Sequence, residues 1–466
     1  MSGMRILGPR RNGARFRLFP QTPYRTATPH EPETVRLSPP AGTIGPGPQD
    51  DRMYVVAPIG KREPYGISFT AYGTPYLHLP PWDGPIRPPA VPGPDGHLDH
   101  LAVGTHEFGQ AHVYGVVRFV LDIWQGYFGR DIEWHFARDH DRLEISLLPG
   151  LDNARAGWGF MEVGSHFTER GEPRPFSLNF DVLAHELGHL IIYAEVGLPA
   201  DDAIEGEYFG FHESAADLVA LVAALHFDSV VDDLLAMTRG NLYTFNELNR
   251  FAELSENDEI RNAGNGRKLS EFAHGWCDEH DLSEPLTGAI FDVFVDVFHE
   301  MLLDRGLISP EVEDLFDQLE RSPECAALIQ DLFDQAFPRN PQRFKEALRK
   351  AGDYLGLALA KAWQRLSPHF LNYVDVGDAL LEVDRELSGG RYQQAILNNF
   401  RWREIGTVSI GPRLSVPDAE SHVFSTRTLT PEHDRPIPRL SFRERWARAG
   451  KPATRGMQPI GGDYHG

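Results

Sequence analysis

The sequence predicts an α+β fold, from a contrast between its two parts. Short β-like runs broken by Pro and Gly begin at Met53, and residues 78–98 are so rich in proline that they are predicted to be a loop or connector. From Phe180 onward, long apolar patterns with helical spacing predominate. A β-rich first part followed by a helical second part is typical of the α+β class.

The same patterns divide the chain into four regions. We predict a disordered Arg/Pro-rich arm at 1–50, a β-rich lobe at 51–180, a helical lobe at 181–408 and a Pro/Arg-rich tail at 409–466. Within the β-rich lobe, apolar spacing predicts a helix at 111–128 and strands at 131–136, 143–148 and 157–163. The predicted helices of the second part are 180–195, 211–227, 230–237, 286–304, 310–320, 324–336, 341–366, 374–387 and 391–402.

Composition and charge limit the class of protein. With 41% hydrophobic and 24% charged residues the chain is typical of a globular protein, and its formal net charge of −22 argues against nonspecific nucleic-acid binding. The apolar run at 218–225 is too short to span a bilayer, and the N-terminal residues lack the apolar core of a signal peptide. Cys277 and Cys325 cannot build a disulfide framework. We therefore expect a cytoplasmic protein without nucleic-acid or membrane partners. The sequence does not indicate its oligomeric state.

The most specific motif is His185-Glu186-Leu-Gly-His189, an H-E-x-x-H sequence inside an apolar helical pattern. Helical spacing puts the two histidines one turn apart on one face, where both imidazoles can bind one zinc ion. Glu186 lies beside them, placed to act on a water molecule as a general base. Because the flanking residues are apolar, these polar side chains would be stranded in a core without a metal. The motif therefore predicts a zinc site.

A second motif, His-Glu213-Ser-Ala-Ala-Asp217, supplies the carboxylates that such a site needs. Glu213 follows His189 by 24 residues and is predicted to be the third ligand, which leaves the fourth zinc position open for water. Asp217, one helical turn further on, can accept the distal N–H of a ligating histidine and orient its ring. Helix capping is the alternative role for both residues, but it does not explain their pairing with the H-E-x-x-H motif.

Together these two motifs resemble those of the thermolysin family of zinc metallopeptidases. Asn153-Ala154 and the Gly-Trp-Gly that follows resemble the family's substrate-binding edge strand. The segment around Arg261 resembles the one that carries its carbonyl-binding arginine, and the residues up to Gly288 resemble the start of its Ser-Gly helix. The resemblance covers about 105 to 408. It implies a β-rich N-terminal lobe, a central H-E-x-x-H helix and an all-α C-terminal lobe.

The resemblance also implies roles for single residues. It implies a zinc-dependent endopeptidase, a hydrolase acting on peptides or proteins, in which one zinc ion is bound by His185, His189 and Glu213. Glu186 would be the general base, and Asp217 would orient a ligand histidine. Asn153, Ala154 and Arg261 would hold an extended peptide against a strand edge.

The sequence departs from the family at the groups that stabilise the oxyanion. Glu284 occupies the expected place of a histidine, so His280, one helical turn earlier, is the candidate to replace it. Tyr208 is the nearest counterpart of the family's oxyanion tyrosine. A calcium site is not expected, because Ala223-Ala224 stands where the family has an acidic ligand near Asp181.

Two other functions stay open at the level of sequence. Gly159-Phe-Met-Glu162-Val resembles the motif with which zinc aminopeptidases bind a free amino group, although Val163 replaces its final asparagine. The alternative from another class is a non-catalytic zinc-binding scaffold or peptide-binding module, which the departures at the oxyanion site favour. Retention of Glu186 argues against that alternative, since a scaffold has no use for a general base.

Overall fold

Among the described residues, most strands lie in the first part of the chain and most helices lie in the second. The computed structural model describes residues 12–24, 31–69, 75–168, 170–244, 250–251, 261–318 and 324–414. Its strands are β1 (Gly13–Leu18), β2 (Glu33–Pro40), β3 (Met53–Val56), β4 (Gly66–Phe69), β5 (Pro75–His78), β6 (Leu143–Leu147), β7 (Ala154–Gly157), β8 (Phe160–Val163), β9 (Ser165–Phe167), β10 (Pro173–Pro175), β11 (Arg250–Phe251) and β12 (Arg261–Asn262). Its helices are α1 (His106–Phe128), α2 (Phe180–Glu195), α3 (Gly206–Ala224), α4 (Asp228–Thr238), α5 (Glu279–Asp304), α6 (Glu311–Gln318), α7 (Cys325–Ala336), α8 (Pro341–Trp363), α9 (Tyr373–Ser388) and α10 (Gln393–Trp402). The predicted α+β class is confirmed.

The described residues of the predicted N-terminal arm are folded, which corrects the expectation of disorder there. β1 and β2 pair antiparallel, with Phe16 opposite Val35. Phe16 and Leu18 are fully buried, and the Phe16 ring stacks on Tyr114 of α1 at 5.6 Å between centroids. The abundance of Arg, Pro and Gly predicts disorder, but Ala14, Phe16 and Leu18 alternate with arginines at the period of a strand. Burial of that apolar face on α1 makes the segment a hairpin.

A four-stranded sheet in the order β3-β6-β8-β7 flanks the central helices. β3, β6 and β8 run parallel, and β7 pairs antiparallel with β8 at one edge. Ile145, Met161 and Val163 belong to the same hydrophobic core as α1 and α2. Since successive side chains of a strand point to opposite faces, Glu144 and Glu162 point away from that core, and both are fully buried on the other face.

Two of the three predicted strand segments differ from the structure. Residues 143–148 correspond to β6, but 157–163 contains the turn of the β7–β8 hairpin at Trp158-Gly159. Residues 131–136 form no strand. Their alternating Ile132, Trp134 and Phe136 are buried, with the last two rings stacked at 5.6 Å. The alternation therefore reflects one-sided burial of an extended segment and turn.

Most predicted helices are confirmed to within about three residues at each end, but three begin earlier than predicted. α1 begins five residues before its predicted start, after Thr105, whose side chain accepts a hydrogen bond from the Phe108 N–H at 3.1 Å. α3 also starts earlier, at Gly206. The largest difference is α5, which begins at Glu279 and continues through Pro285, whereas the prediction began at 286. A proline normally marks the first turn of a helix or a break in it. Because of Pro285, the sequence gives no clear sign of the helical turns at 279–284.

Helix α9 is joined to the first turn of α3. α9 begins with a capping box in which the Asn372 side chain accepts from the N–H groups of Val374 and Asp375. Its first residue, Tyr373, donates its backbone N–H to Glu207 of α3 at 2.6 Å. None of the helices in the described part of the chain combines the length and apolar character needed to cross a bilayer.

We expect Glu207→Gln to lose less stability than the wild type between pH 5 and pH 8. Burial raises the pKa of Glu207 to about 7, although the Tyr373 N–H partly offsets this. The folded state thus keeps a proton that the unfolded state releases near the ordinary pKa of 4.5. The wild type therefore loses stability as the pH rises through this interval and does not regain it above.

Glutamine does not titrate, so between pH 5 and pH 8 the variant should gain about 2 kcal/mol over the wild type in free energy of unfolding. Urea unfolding of both proteins at both pH values measures the difference. Because each protein is compared with itself, any constant packing effect of the substitution cancels. Parallel pH dependences of the two proteins would contradict the prediction.

Candidate metal centre

The H-E-x-x-H motif lies in the first half of α2, a helix covered on most sides. Asn179 caps this helix by accepting a hydrogen bond from the Val182 N–H at 3.2 Å. α2 packs against α1, α3 and the edge strand β7, which explains why its apolar residues are not confined to one face. His185 and His189 lie one turn apart, with ring centroids separated by 4.5 Å.

α3 brings a carboxylate to these two histidines. The helices approach closely at Gly188, where a Cβ atom would lie 2.7 Å from the Cα atom of Ala216. Glu213 Oε2 lies 3.3 Å from His185 Nε2, and Glu213 Oε1 lies 3.6 Å from His189 Nε2. Within the described part of the chain, these are the residues whose potential ligand atoms gather within 4.8 Å of one another. We call His185, His189 and Glu213 the metal cluster.

The donor set of the metal cluster fits zinc. Two imidazoles and a carboxylate are ligands of catalytic zinc sites, which keep a further position for water or substrate. Burial pushes the pKa of Glu213 upward, but His189, His185 and His280 outweigh it and hold this pKa well below its ordinary value. The carboxylate is therefore ionised at neutral pH, which suits a cation ligand.

Each histidine of the metal cluster is contacted at its Nδ1 atom by a neighbouring side chain of α3. Asp217 Oδ1 lies 2.9 Å from His185 Nδ1. His212 Nδ1 lies 2.7 Å from His189 Nδ1, and the two rings stack with centroids 4.8 Å apart. Since the Nε2 atoms face Glu213, the contacts at Nδ1 set the orientation of both rings.

His212 is a residue of the site that the sequence did not reveal. Burial lowers its pKa to about 4, so the ring is neutral at pH 7 and can accept the Nδ1 proton of His189. Its other nitrogen, Nε2, is buried and has no hydrogen-bond partner among the described residues. His212 directly precedes Glu213, and adjacent helical residues point about 100° apart. Spacing along the chain therefore does not indicate that it meets His189.

Glu186 and Tyr193 lie on α2 beside the cluster. Glu186 is 8% exposed and directly follows the first ligand histidine. Tyr193, one turn after His189, has its ring 4.3 Å from that of His212. Burial and the charges of Glu213 and Glu186 raise the pKa of Tyr193. Tyr193 follows His189 by four residues, and this helical spacing alone would place it on the same face of α2.

The two candidates for the oxyanion site, His280 and Tyr208, have different surroundings, as does Glu284. His280, in the first turn of α5, has its Nδ1 atom 2.8 Å from Glu213 Oε2 and thus reaches the cluster. Glu284, at the place expected for a histidine, pairs instead with Arg267 at 3.0 Å. The Tyr208 hydroxyl donates to the carbonyl oxygen of Gly197 at 2.9 Å. Tyr208, predicted as an oxyanion donor, is thereby hydrogen-bonded to backbone in this structure.

Two of the three predicted substrate-binding residues lie at the sheet edge beside α2. Ala154 begins the edge strand β7, and Asn153 directly precedes it. The Asn153 side chain accepts a hydrogen bond from the Ala154 N–H at 2.8 Å. Arg261 lies in the short strand β12, opposite Phe251 of β11. The side chain of Arg261 lies outside the described part of the molecule.

Comparison with known proteins does not show a family for this chain. No protein-family model and no curated protein sequence matches this chain. Among solved structures, the chain is similar to the precursor of protealysin, a metalloproteinase from Serratia proteamaculans. The identity is 12% and the TM-score 0.42, with 80% of this chain and 90% of that chain covered.

Proposed function

We propose that this protein is a zinc-dependent peptidase, most closely matching a thermolysin-like endopeptidase with a modified oxyanion site. The observation that carries the proposal is the convergence of His185, His189 and Glu213 from two helices, with Glu186 beside them. A zinc ion bound there would supply a Lewis acid that acidifies water and polarises a carbonyl group. A purely structural site would use a fourth protein ligand and no adjacent base.

The side chains of the site divide the work of peptide hydrolysis. Glu186 accepts a proton from the attacking water and returns it to the leaving amine. Asp217 and His212 keep the rings of His185 and His189 oriented through their Nδ1 atoms. His280, beside Glu213, is the side chain best placed to donate a hydrogen bond to the developing oxyanion.

The edge strand β7 provides a place for an extended peptide. It is an outer strand of its sheet and packs beside α2. A peptide that adds to this edge would run past the metal cluster and bind through backbone hydrogen bonds, with Asn153 and Ala154 at one end. Arg261 is proposed to bind a substrate carbonyl. Peptides or proteins are the substrates that this geometry fits.

The environment of Glu162 argues against the aminopeptidase alternative. An aminopeptidase would need this carboxylate at the metal site, free to bind the amino group of a substrate. Glu162 is fully buried, with Lys61 Nζ at 2.7 Å and Arg155 Nε at 3.1 Å. It also accepts the backbone N–H of Tyr65 at 3.0 Å. Because it points away from the core face that α2 shares, an endopeptidase is the better reading.

The contacts of two side chains favour a second function, that of a non-catalytic zinc-binding scaffold. Tyr208 is bound to the Gly197 carbonyl, and Glu284 is paired with Arg267, so neither is placed to stabilise an oxyanion. If His280 also fails in that role, zinc and peptide could bind without turnover. A peptidase needs Glu186 for cleavage, whereas a scaffold would bind zinc and peptide without using it as a base.

Metal analysis and two kinds of peptide substrate test the proposal. The purified protein should contain one zinc ion, and His185→Ala should contain none. Internally quenched peptides with blocked ends should be cleaved, and unblocked aminoacyl substrates should not. Cleavage of the aminoacyl substrates alone would favour the aminopeptidase, and zinc binding without any cleavage would favour the scaffold. A wild-type protein without zinc would contradict the central claim.

A further inference from the structure

Tyr373, the first residue of α9, joins the two helices that meet at the metal cluster. Its side chain is fully buried. Its hydroxyl donates to the Leu282 carbonyl oxygen of α5 at 2.7 Å, and its backbone N–H donates to Glu207 of α3 at 2.6 Å. Tyr373 follows Glu213 by 160 residues in the sequence, so no local pattern connects them.

The contacts of Tyr373 lie within one helical turn of two residues at the site. On α3 its hydroxyl oxygen lies against Gly210, where any Cβ atom would overlap it. Gly210 precedes Glu213 by three residues, and on α5 Leu282 follows His280 by two. The His280 Nδ1 and Glu213 Oε2 atoms are themselves 2.8 Å apart. The hydroxyl of Tyr373 thus bridges the same two helices that the His280–Glu213 contact bridges.

The first turns of α5 need such an external attachment. Pro285 has no N–H group, so the carbonyl of Asp281 lacks the usual helical hydrogen bond four residues on. The segment that carries His280 is therefore held less firmly by its own helix than an uninterrupted helix would hold it. Burial and the charge of Glu207 raise the pKa of Tyr373 well above its ordinary value, which keeps the hydroxyl protonated as a donor.

We propose that Tyr373 is a positioning residue of the metal centre, which holds His280 against the zinc ligand Glu213 by joining the first turns of α5 to α3. The inference rests on the proposed function, because it assumes that Glu213 binds the metal. It goes beyond it in assigning a role to α9, a helix that contributes no side chain to the metal cluster. Tyr373 acts through His280 and does not touch the substrate.

A double-mutant cycle on zinc affinity tests this role without depending on peptide cleavage. The four proteins are wild type, Tyr373→Phe, His280→Ala and the double variant, each titrated with zinc against a competing chelator. His280→Ala should weaken zinc binding about tenfold or more, since it removes a partner of a ligand carboxylate, and Tyr373→Phe a few-fold. In the His280→Ala background, Tyr373→Phe should have no further effect, because the group through which it acts is gone.

Tyr354→Phe is the matched control. The Tyr354 hydroxyl also makes a single hydrogen bond within the helical part, to Asp384 Oδ1 at 2.8 Å. Removing it should lower the melting temperature about as much as Tyr373→Phe does and leave zinc affinity unchanged. If Tyr373→Phe does not fold, Glu207→Ala, which removes the acceptor of the Tyr373 N–H, replaces it in the cycle with the same expectation.

The outcomes separate the inference from the proposed function. Equal losses of zinc affinity from Tyr373→Phe in both backgrounds would overturn the role of Tyr373 and leave the zinc site intact. An equal loss in Tyr354→Phe would overturn it as well, since general destabilisation would then explain both. A wild-type protein that binds no zinc would overturn the proposed function itself, and the inference with it.

Discussion

Glu186→Gln should lower kcat/KM for an internally quenched peptide by about a thousandfold while zinc remains bound. Glutamine has the size of glutamate but cannot accept the proton of the attacking water. The substitution preserves volume at a position only 8% exposed, so packing of α2 should change little. The measurement pairs initial rates of cleavage with zinc content of the same preparation, so that loss of metal and loss of the base are told apart.

Glu195→Gln, at the other end of the same helix, is the control for this substitution. Glu195 lies nine residues after Glu186 and pairs with Arg130 at 2.6 Å. We expect its kcat/KM to stay near that of the wild type. Equal activity of wild type and Glu186→Gln would rule out Glu186 as the base. Equal inactivity of both proteins, with zinc bound, would instead support the scaffold function.

Glu213→Gln should weaken zinc binding by about a hundredfold or more. The amide is a weaker ligand than the carboxylate, and it removes the negative charge that offsets the metal in a buried site. The ionised state is already favoured before metal binds, because His189, His185 and His280 hold the pKa of Glu213 low. Competition with a chelator of known affinity measures the change.

Ser214→Ala tests whether a substitution in this turn of α3 acts on the metal by itself. Ser214 is fully buried, and its hydroxyl has no hydrogen-bond partner among the described residues. Its removal should leave zinc affinity within about twofold of the wild type, since no contact to a ligand is lost. A loss in Ser214→Ala as large as in Glu213→Gln would show that disturbance of α3, and not loss of a ligand, controls binding.

The elements that the sequence predicted well are those whose signals are local. The predicted bounds of α2 agree with the structure because a capping residue, Asn179, precedes a long apolar helical pattern. β6 agrees because its strand pattern is short and continuous. The α+β class followed from the same local patterns, summed along the chain.

The elements that it predicted poorly are those where a local signal was misleading. Composition suggested disorder in residues 1–50, yet burial against α1 orders the alternating apolar residues of β1. The apolar pattern predicted a helix from residue 286, yet α5 begins at Glu279, where Asp278 caps it by accepting the His280 N–H at 2.8 Å. That earlier start is what brings His280 onto a helix whose first turn faces Glu213.

The sequence by itself determined the spacing of the metal cluster, because residues four apart on a helix share a face whatever surrounds them. It thereby indicated His185, His189 and Glu186, and it indicated Glu213 and Asp217 as a second pair one turn apart. Only the tertiary structure decided what meets these groups: His212 behind His189, His280 against Glu213, and a backbone carbonyl for Tyr208. Those contacts depend on how closely α2, α3 and α5 approach one another, and packing between helices distant in the chain has no period that a sequence displays.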